Sequence, residues 1–256
     1  MFINLMLLVF LIVRLVTAVR LVVLARRSRQ ANMYWLAAQL FAVAIGLIFT
    51  PIPENPLGGQ SVTNYFIFTI SIPVAQLASI LFIQTTFYRD RKSPLWWYVG
   101  AFVVGSFIAL YFMTQGEIGV PHPLAAFVHA STVLTSFWQV QSANRALADI
   151  SEVRDVEDWI KARYRLVTAY SICLIISGAA NFARDYFAGG AVTNPLGGAM
   201  ALLSLPLEIT AVVIQFLAWV MPAGFRKWLN RNYQPPAHGG AELGLSEEKI
   251  MRQLRS

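Results

Sequence analysis

Apolar residues run in seven long blocks along the chain, at roughly 2–25, 33–50, 64–87, 95–113, 124–145, 165–186 and 199–221. A bilayer core needs about 20 apolar residues per helix at the α-helical rise, so each block suffices for one crossing. Between the blocks stand turn-forming clusters: Pro51-Ile52-Pro53, Asn55-Pro56-Leu57-Gly58-Gly59, Val120-Pro121-His122-Pro123 and Asn194-Pro195-Leu196-Gly197-Gly198. The pattern predicts an all-α polytopic membrane protein, a seven-transmembrane-helix bundle occupying 1–228. A cytoplasmic linker and short amphipathic tail follow at 229–256. The block Phe2–Ala25 lacks the basic stretch that opens a cleavable signal, which predicts a retained first helix.

Basic residues give the orientation, because short loops rich in Lys and Arg stay in the cytoplasm. Arg26, Arg27 and Arg29 follow the first block, Arg89, Arg91 and Lys92 the third. Arg145, Arg154, Lys161, Arg163 and Arg165 follow the fifth, and Arg226, Lys227 and Arg231 the seventh. The alternate loops 51–63, 114–123 and 187–198 contain no Lys or Arg, and Arg184 alone lies near that face. The N-terminus is therefore expected outside and the C-terminus in the cytoplasm. Trp35, Trp96, Trp97 and Trp228 beside the basic clusters suit the headgroup layer, where an amphipathic ring is favoured.

Composition agrees with a non-aqueous solvent: 57% of residues are apolar and 13% charged. The net charge of +7 does not gather into a soluble basic face, so no nucleic-acid partner is expected. The single cysteine, Cys173, lies in an apolar block and rules out a disulfide within the chain.

Ionisable groups inside a membrane helix cost several kcal/mol unless paired or wetted, which makes Arg14, Arg20, His129 and Glu208 the first candidates for function. Counting the helical rise up from the basic margin puts His129 and Asn181 about 24 Å above it and Glu208 about 27 Å above it. Three polar groups on three successive helices thus share one level in the outer half of the bilayer. Arg184, three residues beyond Asn181, lies on a similar face and is placed to reach toward Glu208. Arg14 falls some 9 Å deeper by the same count, so a direct pair with Glu208 needs a stretched side chain or tilted helices. The candidate ligand-binding set is Glu208, His129, Asn181, Arg184 and Arg14; the competing reading is an interhelical polar cluster that only holds the bundle together. Arg20 is close enough to the margin for its guanidinium to reach the headgroups.

Other chemistry is excluded by missing parts. No lysine at membrane depth can form a retinal Schiff base, and His129 is the only histidine within a block, too few for haem or a zinc motif. Neither a Walker A loop nor paired catalytic carboxylates are found, so no enzymatic activity, metal or cofactor is expected.

Two inner segments look like contact surfaces. Residues 146–164 set Leu147, Ile150, Val153, Val156, Trp159 and Ile160 among acidic residues, a spacing that predicts an amphipathic helix at the inner face. In 246–255, Ile250 and Leu254 share a face of a short helix that Ser246 can cap. Both are expected to dock together or onto a cytoplasmic signalling partner or the subunits of a membrane complex.

A weak repeat is also present. Asn-Pro-Leu-Gly-Gly precedes both the third block, with Ser71-Ile72-Pro73-Val74, and the seventh, with Ser204-Leu205-Pro206-Leu207. A three-plus-one-plus-three duplication of the kind used by transporters is one reading, and chance recurrence of turn chemistry the other.

The run Arg26-Arg27-Ser28-Arg29 with Tyr34-Trp35-Leu36, and the run Phe82-Ile83-Gln84-Thr85-Thr86-Phe87-Tyr88-Arg89-Asp90-Arg91 before Trp96-Trp97, resemble the seven-transmembrane N-terminal sensor module of bacterial histidine kinases and related signalling proteins. The resemblance covers the first four blocks. It implies a prokaryotic cell-membrane sensor or receptor whose output lies in a separate protein. The leading expectation is a receptor-like protein that binds a small ligand from outside and signals to a cytoplasmic partner. A small-solute transporter or channel and an accessory subunit of a membrane complex are the alternatives.

Overall fold

The computed structural model describes residues 2–49, 62–88, 93, 95–114, 123–151, 156–188 and 194–233. Among them the fold is all-α. The helices are α1 (Phe2–Ser28), α2 (Ala31–Ile48), α3 (Val62–Phe87), α4 (Leu95–Thr114), α5 (Pro123–Ser151), α6 (Asp158–Phe187), α7 (Pro195–Trp219) and α8 (Ala223–Leu229), closed by the 3-10 turn η1 (Asn230–Asn232). Five of them, α1, α2, α3, α6 and α7, are long and apolar enough to cross a membrane, which makes this a multi-pass membrane protein.

Each of α1 to α7 packs on the next in sequence, and α7 returns to α1, so the bundle closes; α3 also reaches α5. Large apolar side chains such as Leu202, Phe137, Val104 and Val19 are exposed on the outside, while the interior mixes Trp138, Trp219 and Tyr170 with many buried serines, threonines and glutamines. A lipid-facing bundle is expected to have this inverted look, because apolar groups need no shelter from lipid and polar groups find partners only inside.

Close helix contact depends on two glycines. A Cβ on Gly46 would collide with the Ser71 hydroxyl, so α2 and α3 touch there. A Cβ on Gly178 would sit 3.0 Å from Val133 Cγ2 and 3.3 Å from the His129 carbonyl, so α6 lies directly on α5 beside the candidate site. Both α3 and α7 continue through an internal proline, Pro73 and Pro206. Asn194 caps α7 by accepting a hydrogen bond from the Leu196 N–H at 3.0 Å, with Pro195 in the first turn, where its missing N–H leaves no bond unmade.

The end of the bundle where α5 stops and α6 starts departs from expectation. Residues 146–164 are not one amphipathic helix: α5 runs on to Ser151, and α6 starts at Asp158 and packs on α5. The apolar positions serve a hairpin instead. Ile150, Val156, Trp159, Ile160 and Tyr164 form a cluster that also takes Met221, Phe225 and Leu229 from the far end of the chain. The helix α8, which its seven residues and the preceding Pro222 conceal in the sequence, is therefore docked on the α5–α6 hairpin and runs across the boundary at 228. Met221 makes the bend with a left-handed φ of 43°. The loops 51–61, 115–122 and 189–193 and the tail 234–256, with its expected helix at 246–255, lie outside the described residues.

Candidate functional site

Three polar residues of α6, Ser177, Asn181 and Asp185, follow each other at four-residue spacing and so share one face of the helix. All three are buried. They divide the five expected site residues between two neighbouring clusters.

The inner cluster centres on Glu208 of α7. Its Oε1 accepts hydrogen bonds from Ser177 Oγ at 2.8 Å and Asn181 Nδ2 at 3.0 Å. The structure thus brings Glu208 to Asn181, one of the three groups at its estimated depth, and adds Ser177. Glu208 is also the charge that acts on Arg14 of α1. Arg14 shares the buried stripe of Phe10, Thr17, Ala18 and Leu21, is only 4% exposed, and lies over the Phe10 ring at 4.2 Å. Its Nε has no hydrogen-bond partner among the described residues. Glu208 thus acts as the counter-charge of Arg14 across a gap, as the depth difference counted along the helices requires, and the two form no direct ion pair. Arg20 lies on the exposed side of α1.

The outer cluster was not visible as such in the sequence. His129 Nε2 and Arg184 Nε both engage Asp185, at 3.1 Å on Oδ2 and 2.8 Å on Oδ1. Neither residue has a hydrogen bond to Glu208. The physical reason is proximity: Asp185 adjoins Arg184 in the chain and meets His129 across the α5–α6 contact, whereas Glu208 of α7 is bonded at Asn181, one turn before Asp185 on α6. Asp185 and Ser177 are the two residues that sequence reasoning missed. The four-residue spacing to Asn181 is the signal that marks them.

Further polar contacts continue inward. Gln76 of α3 donates to Thr132 of α5, and Gln139 of α5 donates to the Tyr170 hydroxyl, which also accepts from Trp219 Nε1 at 3.4 Å. Ser171 donates to Gln139 Oε1 at 3.2 Å. The Tyr88 hydroxyl accepts from Trp138 Nε1 at 3.3 Å and Ser142 Oγ at 3.1 Å. Such bonds between helices satisfy groups that lipid would leave unpaired.

At the inner end of α6, Asn230 bridges the bundle and α8. Its Oδ1 accepts from the Trp159 N–H at 3.1 Å, in the first turn of α6, and its Nδ2 donates to Glu157 at 2.6 Å. Arg226 reaches the same carboxylate at 3.5 Å and covers the Trp159 ring at 4.2 Å. A free helix N-terminus carries unpaired N–H groups, and a residue from another element here supplies the missing acceptor.

Within these two clusters the charges balance: Arg14 and Arg184 against Glu208 and Asp185, with His129 held on Asp185. Among the described residues no three His, Cys, Asp or Glu side chains come together as a metal site would require. No family model matches the chain, and neither a curated protein nor a solved structure matches it.

Proposed function

We propose that the chain is a seven-helix membrane sensor, with its N-terminus outside and its C-terminus in the cytoplasm, that binds a small ligand at the Glu208 site and signals through α6 to a cytoplasmic partner. The observation that carries this reading is that one continuous helix bears both ends of the device. Ser177, Asn181, Arg184 and Asp185 stand at the outer end of α6, and Trp159, held by Asn230, at the inner end, about 30–40 Å away at the helical rise. A change in the hydrogen bonds of Glu208 acts on α6 directly, and a rigid helix passes a shift or rotation to the α5–α6 hairpin. The retention of basic loops supports the orientation, and the resemblance of the first four helices to bacterial sensor modules supports the class.

The experiment is a density map of the natively purified protein. A small molecule between α1, α6 and α7, in contact with Glu208 or Arg14, is the expected result. An empty site with a neighbouring subunit on the hairpin would instead favour an accessory subunit. A transporter is the second reading, supported by Pro73 and Pro206 within α3 and α7 and by the polar contacts that continue inward. Solute flux into liposomes that Glu208→Gln abolishes would decide for it.

A further inference from the structure

One face of α8 holds the helix in place, and the other has no partner in the bundle. Phe225 and Leu229, four residues apart, pack into the apolar cluster of Ile150, Val156, Trp159 and Ile160, and Arg226 is engaged with Glu157 and Trp159. Lys227, Trp228 and Arg231 face away. All three are exposed, Trp228 by 55%. The Trp228 ring is stacked on Phe225 with centroids 5.8 Å apart, and the Arg231 guanidinium lies over it at 4.5 Å. An exposed indole stacked on Phe225 and covered by the Arg231 cation, with Lys227 next to it in the chain, is a poor match for water and a good one for the headgroup layer, where the ring meets the acyl boundary and the cations meet phosphate. The position agrees. The helix follows the last membrane span directly and sits at the end of the bundle where Arg26, Arg27 and Arg29 close α1.

We propose that α8 and η1 bind anionic phospholipid headgroups of the cytoplasmic leaflet through Lys227, Trp228 and Arg231, while Arg226 stays on Glu157. The proposal rests on the membrane orientation given above and not on the ligand site. Charge complementarity selects the occupant, since two cations flank the indole and no acidic residue lies between Ala223 and Tyr233. A consequence follows for α6. Asn230, which caps that helix, stands between Trp228 and Arg231, so headgroups that hold α8 in place also hold the cap. The negative charge of the leaflet then sets how firmly the inner end of α6 is clasped.

Hydrogen exchange of the full chain in nanodiscs tests this, with phosphatidylcholine alone compared with phosphatidylcholine containing phosphatidylglycerol. The amides of 223–232 are expected to exchange more slowly in the anionic disc, by about fivefold for each of the two cations, and raised salt should remove the difference. Lys227→Gln with Arg231→Gln leaves Arg226 and Asn230 in place; it should match the wild type in phosphatidylcholine and lose the response to phosphatidylglycerol. Equal exchange of 223–232 in both lipids, or a double variant that keeps the response, overturns the proposal, and a soluble acidic partner then becomes the better occupant of this face. Fast exchange throughout α1 to α7 would instead count against the membrane reading itself, so the two failures are distinct.

Discussion

Replacing Glu208 by Gln removes a charge and little else. The side-chain carbonyl of Gln can still accept from Ser177 and Asn181, which now share Oε1. Even complete loss of these bonds is a modest effect, because hydrogen bonds between membrane helices average about 0.6 kcal/mol each. The larger effect falls on Arg14, whose guanidinium is buried and loses the charge that acts on it. Breaking a buried pair by neutralising one partner typically costs about 3–5 kcal/mol. Arg14 and Glu208 are not in direct contact and Glu208 keeps partial access to the surroundings, so the expected loss is about 1–2 kcal/mol. Arg14→Met, which keeps a long apolar stem against Phe10, removes the stranded cation. In that background Glu208→Gln should cost about 0.5 kcal/mol or less, giving a coupling of about 1 kcal/mol between the two positions. The assay is reversible unfolding of the four proteins of this double-mutant cycle in the same mixed micelles. Equal destabilisation by Glu208→Gln in both backgrounds would refute the claim that Glu208 is the counter-charge of Arg14.

Three other outcomes are expected. Single cysteines placed in loops 51–63, 114–123 and 187–198 of a Cys173→Ser protein should react with an impermeant thiol reagent in intact cells; labelling at 89–94 instead would reverse the orientation. Asn230→Ala removes a helix cap and a charge-assisted hydrogen bond and should open the clasp by about 1–2 kcal/mol, read as roughly tenfold faster exchange in 156–164 and 223–232. Unchanged exchange there would show that Asn230 does not hold α6. Gly46→Ala must push Ser71 aside and should cost about 1–3 kcal/mol in thermal unfolding, and a neutral result would deny the close contact of α2 and α3.

The helices were legible in the sequence because a bilayer imposes a length: the seven apolar blocks are helical as α1 to α7, and five of these helices are long and apolar enough to cross a membrane. The ends of α5 and α6 were less so. Leu147, Ile150, Val156, Trp159 and Ile160 follow a helical period, but the same period serves two helices meeting at a turn, and only contacts with Phe225 and Leu229 distinguish the cases. Depth counting brought Glu208 to Asn181, since the rise along a helix is fixed. It gave no rotation about the helix axis, so it did not show that Arg184 and His129 meet Asp185. Asp185 adjoins a loop, where a carboxylate is ordinarily solvated, so its burial to 7% exposure is not legible in the sequence.

The central claim is that the Glu208 site and the inner end of α6 are coupled. Hydrogen exchange at 156–164 and 223–232 in nanodiscs, compared between the wild type, Glu208→Gln and Gly46→Ala, tests it most directly. The Gly46 variant supplies a matched loss of stability at a contact that does not involve α6. The account predicts that Glu208→Gln changes exchange at the clasp, about 30 Å away along the helix, while Gly46→Ala leaves it as in the wild type. Identical clasp exchange in Glu208→Gln and the wild type, or equal changes in both variants, would contradict it.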